Sequence, residues 1–210
     1  MGQLWSPIAA VPSHWRGKAN AQIAVAIGNA SIVPNMPRVI VQIYKRNYSH
    51  QLIYQSKAFA LNFLRKDQLH LIHSFGLVSG REVDKLSGIG YQRKASGSPI
   101  LTDCWGYLDC RVVNAMDGGD MTCFLGEVLE GDTASPDPDR GEPLWWRQAR
   151  HELPPQWLEQ WNQQIAGEIE FSSEAMKRID HTPWQPSPSK PPAALNLPCR
   201  ISPAPQGTTT

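Results

Sequence analysis

Ser79-Gly80-Arg81-Glu82-Val83-Asp84-Lys85 is the stretch on which the reading of this chain turns. Ser79, with Glu82 three residues later, has the form of a capping box and predicts a helix start. A helix start presents unpaired N–H groups and partial positive charge, both suited to a phosphate. Arg81 in that first turn opposes the dipole, and Lys85, four residues on, shares its face. Two cations at an already positive terminus make sense around a bound anion. They make equal sense as surface partners of Glu82 and Asp84, because exposed ion pairs are common and weak.

Outward from this stretch the chain reads as strands. Residues 21–27 (AQIAVAI), 38–44 (RVIVQIY) and 58–64 (AFALNFL) precede it, and 106–113 (GYLDCRVV) and 121–129 (MTCFLGEVL) follow it. A turn-rich segment, Gly28–Pro37, separates the first two. The last two are joined by 114–120, where Asp117-Gly118-Gly119-Asp120 has hairpin chemistry. Short helices are predicted over His50–Ser56, starting at Ser49, and from an Asp67 N-cap through Phe75 to a stop at Gly76, with the third opening at Ser79. There is no repeat and no βαβ rhythm, which disfavours a doubly wound fold. The expected class is mainly β, an antiparallel sheet or barrel with short helices.

Of the 210 residues, 41% are hydrophobic, enough for one ordinary core. Basic residues number 20 against 19 acidic ones, and no basic stripe occurs, which argues against a nucleic-acid partner. No apolar run is long enough for a membrane span, and Met1–Pro7 lacks the features of a signal peptide, so the expectation is a soluble cytoplasmic protein. The cysteines Cys104, Cys110, Cys123 and Cys199 form no CxxC pair. The first three lie in strand-like surroundings and read as small hydrophobes rather than disulfide or zinc ligands. His70 and His73 could share a face, but no carboxylate or cysteine is spaced to complete a metal site, so none is assigned.

The composition changes after Asp132. A Pro-, Asp- and Gly-rich loop leads to residues 155–166, which place Trp157, Leu158, Trp161 and Ile165 on one helical face, with Pro155 in the first turn and Gly167 at the end. From Thr182 the chain is rich in Pro, Ser and Thr, as a disordered or extended tail would be. The domain expectation is a barrel over 1–132, a helical extension over 133–181 and a tail over 182–210.

SGREVDK resembles the SGR-x-x-DK element of the flavoredoxin-like branch of the FMN-binding split-barrel flavin reductases. Other segments fall into the same order. Asn20-Ala21-Gln22-Ile23-Ala24 resembles that family's N-x-M-T/A segment, and Ser31-Ile32-Val33-Pro34 its S-x-x-P-P turn. Tyr48-Ser49-His50-Gln51-Leu52-Ile53 is similar to the Y-T-x-x-L-I helix start, and Phe59–Leu64 to the F-x-V-N-x-L strand. Leu108–Val112 and Phe124–Val128 resemble the closing strands. The coverage is about residues 15–130.

The resemblance implies an antiparallel split β-barrel holding one FMN. Its phosphate would meet Ser49, Ser79, Arg81 and Lys85, and Gly80 would also belong to the cofactor-binding set. The backbone of Asn20, Ala21, Gln22 and Ile23, together with Ser31, would line the ring and ribityl chain. Ser49 could equally be a simple N-cap, and the 20–23 backbone could be making ordinary strand pairs. Asn62, polar in an apolar strand, needs a partner, either the flavin edge or the backbone. The implied activity is NAD(P)H-dependent reduction of the flavin, with electrons passing to free flavin, a ferric chelate or a partner protein. The implied assembly is a homodimer. No catalytic acid or base is required, since the cofactor carries the hydride. Three departures stand out: Gln22 replaces a smaller residue or methionine, Asn35-Met36-Pro37 loosens the double proline, and Met121 stands where some relatives carry histidine. A non-catalytic electron-relay module is the alternative. A pyridoxamine-phosphate-oxidase type of barrel is disfavoured by SGR-x-x-DK.

Overall fold

The computed structural model describes residues 6–132 and 141–178. The predicted tail from Thr182, and Cys199 within it, lie outside the described residues.

Eleven strands form among the described residues: β1 (Ala9–Ala10), β2 (Ser13–Trp15), β3 (Lys18–Asn20), β4 (Ile23–Ala24), β5 (Ile27–Asn29), β6 (Arg38–Tyr44), β7 (Ala58–Phe63), β8 (Tyr91–Arg93), β9 (Pro99–Leu101), β10 (Gly106–Asp117) and β11 (Met121–Asp132). Seven make one antiparallel sheet in the order β4-β1-β7-β10-β11-β6-β5, with β2-β3 and β8-β9 as separate hairpins. β4 and β5 stand at opposite ends of that order, yet only Val25 and Ala26 separate them in the chain. Two linking residues span no more than about 10 Å, so the sheet must curl until its ends meet. The Gln42 N–H bond to Ala26 C=O, 3.0 Å long, carries the β5–β6 pairing back into that link. The fold is the expected nearly closed antiparallel barrel.

Period-two alternation separates two cores. Ala9, Val11, Val41, Ile43, Phe59, Leu61, Cys110 and Phe124 turn into the barrel. Their neighbours Ile8, Ala10 and Leu64 turn outward, to a second cluster with Leu71, Ile72, Phe75 and Leu86. Four helices complete the described structure: α1 (Tyr48–Ser56), the single turn α2 (His70–Ile72), α3 (Trp146–Glu152) and α4 (Pro155–Met176).

The structure differs from expectation at several places. The strand over 21–27 is broken: Gln22 exchanges backbone bonds with Val11, Ile23–Ala24 pair with β1, and the chain then crosses the seam to β5. α1 begins at Tyr48 after Asn47, so Ser49 is an inner first-turn residue and not the N-cap. Asp67 caps nothing either. It lies in a 3₁₀ turn, Lys66–Gln68, where its carboxylate pairs with Arg65. Past α2 the chain widens into a π turn, His73–Leu77, which runs through Gly76 rather than stopping there. β10 continues to Asp117, and a tight turn with Gly119 at φ +92° makes the hairpin. Cys104 sits in a loop, not a strand. α4 runs through Gly167 to Met176.

No helix starts at Ser79. Ser79 Oγ accepts the N–H of Arg81, two residues on rather than three, and Ser79 C=O accepts Glu82 and Val83 N–H. Asp84 Oδ1 then takes the Leu86 N–H at 3.0 Å. Ser and Asp side chains that bond the backbone this way compete with a helix, and here they win.

Candidate functional site

Three segments far apart in sequence meet around Asn20. This residue ends β3 and is almost wholly buried. Its Nδ2 donates to Ser49 Oγ at 2.8 Å. Ser49 has no exposure, so its hydroxyl works behind Asn20, fixing the carboxamide from the first turn of α1. Next along the chain, Gln22 Oε1 accepts from Asn47 Nδ2 at 3.1 Å, which ties the 20–23 segment to the start of the same helix. Gly80 closes in from the third segment. A Cβ there would stand 1.9 Å from Asn20 Oδ1, so only glycine permits this approach. Asn20 Oδ1 is buried with no hydrogen-bond partner among the described residues.

Lys85 is drawn inward. Its Nζ donates to Ala21 C=O at 3.1 Å and Phe75 C=O at 2.7 Å, pinning the 20–23 segment to the π turn. An ammonium has three N–H donors, so one remains. No carboxylate among the described residues pairs with it, and burial pushes its pKa down to about 8. Arg81 stays exposed. Its guanidinium lies over the Tyr48 ring, 5.2 Å from the centroid, and donates to Arg46 C=O at 3.3 Å. The first turn of α1 holds no acidic residue, and the exposed Arg81 guanidinium lies over Tyr48 at that helix start, while Lys85 holds the 20–23 segment that Asn20 ties to Ser49. An anion would be stabilised there by charge and by directed N–H groups.

The other sequence candidates go elsewhere. Ile23 packs beside Gly76, with its Cγ1 3.5 Å from where a Cβ would be, and contributes apolar contact. Ser31 lies in the exposed 30–37 loop, where its Oγ accepts the Val33 N–H at 3.0 Å. Asn62 is fully buried on the outward face of β7; its Oδ1 accepts the Leu101 N–H at 2.8 Å, while its Nδ2 has no hydrogen-bond partner among the described residues. His50, next to Ser49 in sequence, turns instead to β11 and meets Thr122 Oγ1 at 2.8 Å. His73 packs on Trp157, with ring centroids 4.8 Å apart. Sequence reading missed Asn47 and the Tyr48 platform. Both flank the matched Ser49, and Asn47 carried an N-cap signal of its own.

The profile described as "Flavin reductase like domain" matches residues 1–154. The chain belongs to this family. Among its curated relatives is the high molecular weight rubredoxin of Moorella thermoacetica, 34% identical over 113 residues, which are 53% of this chain and 48% of that protein. Another is the reductase component of the 4-nitrophenol 4-monooxygenase/4-nitrocatechol 2-monooxygenase of Rhodococcus opacus, 30% identical over 108 residues, 51% of this chain and 56% of the relative. The chain thus spans about half the length of these relatives. Flavoredoxin from Methanosarcina acetivorans has the same fold, with a TM-score of 0.61 at 24% identity, covering 67% of this chain and 79% of the other. The whole Asn20–Ser49–Gly80–Arg81–Lys85 constellation falls inside the span of the flavin reductase-like domain, whereas α4 begins just beyond it. No helix among the described residues is long and apolar enough to cross a membrane.

Proposed function

We propose that this chain binds FMN at the Asn20–Gly80–Arg81–Lys85 site and reduces it with NAD(P)H. The observation that carries this is Arg81 lying over Tyr48 at the α1 N-terminus, beside the Asn20–Gly80 contact and the Lys85-held 20–23 backbone, with no carboxylate in that first turn. The residues fit a phosphorylated flavin. Arg81 would take the phosphate with Ser79 beside it, and Lys85 would lend charge through its third N–H while holding the 20–23 backbone in place. Asn20 Oδ1, buried without a partner, would accept a hydrogen bond from the flavin. When bound, the flavin would accept hydride from a nicotinamide and pass the electrons on. The protein's part is alignment and exclusion of water, and no side chain need shuttle a proton. The reductase component among the relatives supports an acceptor such as free flavin or a partner oxygenase. The cytoplasm suits such an activity.

Anaerobic stopped-flow absorbance tests the reading. The purified protein with FMN should lose its yellow colour on addition of NADH or NADPH. If only dithionite bleaches it, the chain is an electron relay and not a reductase.

We also propose that the protein is a homodimer. The 157–165 apolar stripe does not carry it, because Trp157, Leu158 and Trp161 pack against their own chain's outer core. The reading rests instead on Ile32, Val33 and Met36, fully or half exposed on the loop beside the edge strand β5. Light scattering at micromolar concentration should give twice the chain mass, and a monomer at that concentration would overturn it.

A further inference from the structure

α4 lies outside the residues matched to the family, yet it reaches the candidate anion site. Its first half is firmly held. Trp161 packs on Trp146 with ring centroids 4.9 Å apart. Gln160 and Gln164 both donate to Leu77 C=O, at 3.0 and 3.1 Å, on the π turn whose Phe75 carbonyl holds Lys85. One turn further along the same face, Glu168 meets Arg46 at 3.6 Å, and Phe171 lies 6.0 Å from the Arg46 guanidinium.

The Glu168 contact is poorly satisfied. It is long for an ion pair, the Arg46 side chain is 55% exposed, and Glu168 Oε2 is buried without a partner. Arg46 is also the residue whose carbonyl holds Arg81. Since the first turn of α1 has no acid of its own, α4 supplies the carboxylate that answers this positive region. Arg46 stands two residues before Tyr48, over whose ring Arg81 lies, so a phosphate brought to Arg81 would be repelled by Glu168 and would draw the weakly held Arg46 side chain away from it.

We infer that Glu168 is a built-in competitor for the bound anion, a carboxylate on α4 that neutralises Arg46 beside the start of α1 and so sets how tightly this region holds a phosphate. This rests on the cofactor site proposed above. Its role is that of an affinity-setting residue, and the effect must appear only for ligands that carry the phosphate.

The test is a pair of titrations, FMN and riboflavin, against the wild-type chain and Glu168→Gln, followed by quenching of flavin fluorescence. Gln keeps the size of the side chain and removes its charge. Glu168→Gln should bind FMN about three- to fivefold more tightly, the scale of one exposed ion pair, with riboflavin affinity unchanged. A tighter complex is an outcome that mere loosening of α4 would not produce. Equal FMN affinity in the two proteins overturns the inference, and so does an equal change for FMN and riboflavin. If the wild-type chain holds FMN no better than riboflavin, the arginines do not read the phosphate, and the cofactor-site reading fails together with this one.

Discussion

Gly126→Ala should destabilise the protein by about 1–3 kcal/mol and lower its melting temperature by several degrees. A Cβ at this position on β11 would stand 2.6 Å from Phe59 Cζ, 2.9 Å from Phe59 Cε1 and 3.2 Å from Cys110 Cβ. Phe59 is fully buried at the centre of the barrel, and Cys110 belongs to the adjoining strand β10, so neither can move without disturbing the interior cluster. Overpacking of this kind costs about 1–3 kcal/mol, occasionally more. At this chain length each kcal/mol is worth about 2–4 °C. Thermal and urea unfolding of the cofactor-free protein would measure it. Phe59→Leu in the Gly126→Ala background should recover part of the loss, because the clash is with the ring, and a double-mutant cycle isolates that coupling. A single mutant as stable as the wild type would mean that the barrel interior has more room than the packing implies.

Gly80→Ala should damage the candidate site more than it damages the fold. The added methyl carbon would lie 1.9 Å from Asn20 Oδ1 and 2.5 Å from its Cγ. Asn20 is buried and fixed by its bond to Ser49, so it cannot rotate aside without leaving Ser49 Oγ unpartnered in the interior. The other escape is a shift of the 79–83 turn, which would carry Arg81 off the Tyr48 ring. Either response disrupts groups proposed to meet the flavin. A penalty of about 1.4–2.8 kcal/mol expressed at the site corresponds to a roughly tenfold to hundredfold loss of FMN affinity. Fluorescence titration would read this, with circular dichroism confirming that the barrel is retained. Wild-type affinity in a folded Gly80→Ala protein would remove Asn20 and Gly80 from the site.

The strands were the most legible part of the chain. Arg38–Tyr44 was predicted residue for residue, since alternation of Val39, Val41 and Ile43 with outward-facing partners is a local property of the pleat. Helices were read less well where local rules conflicted with distant contacts. Ser79 and Glu82 have the spacing of a capping box, but Lys85 is held by carbonyls 64 and 10 residues away, and Asp84 takes the Leu86 N–H. α4 overran Gly167. A helical glycine costs about 1 kcal/mol, and the contacts that Glu168 and Phe171 make with Arg46 lie beyond it.

The sequence by itself determined that the protein would be mainly β and antiparallel, and which family the chain resembles, because alternation, turn chemistry and short motifs are written within a few neighbouring residues. Only the tertiary structure decided which residues meet. It put Ser49 behind Asn20, 29 positions away, turned Lys85 inward, left Ser31 in an exposed loop and gave Asn62 a backbone partner. It also brought Glu168 to Arg46. These outcomes depend on closure of the sheet and on the outer core that seats α4 against the π turn, and a contact between distant segments has no signature in the residues beside either one.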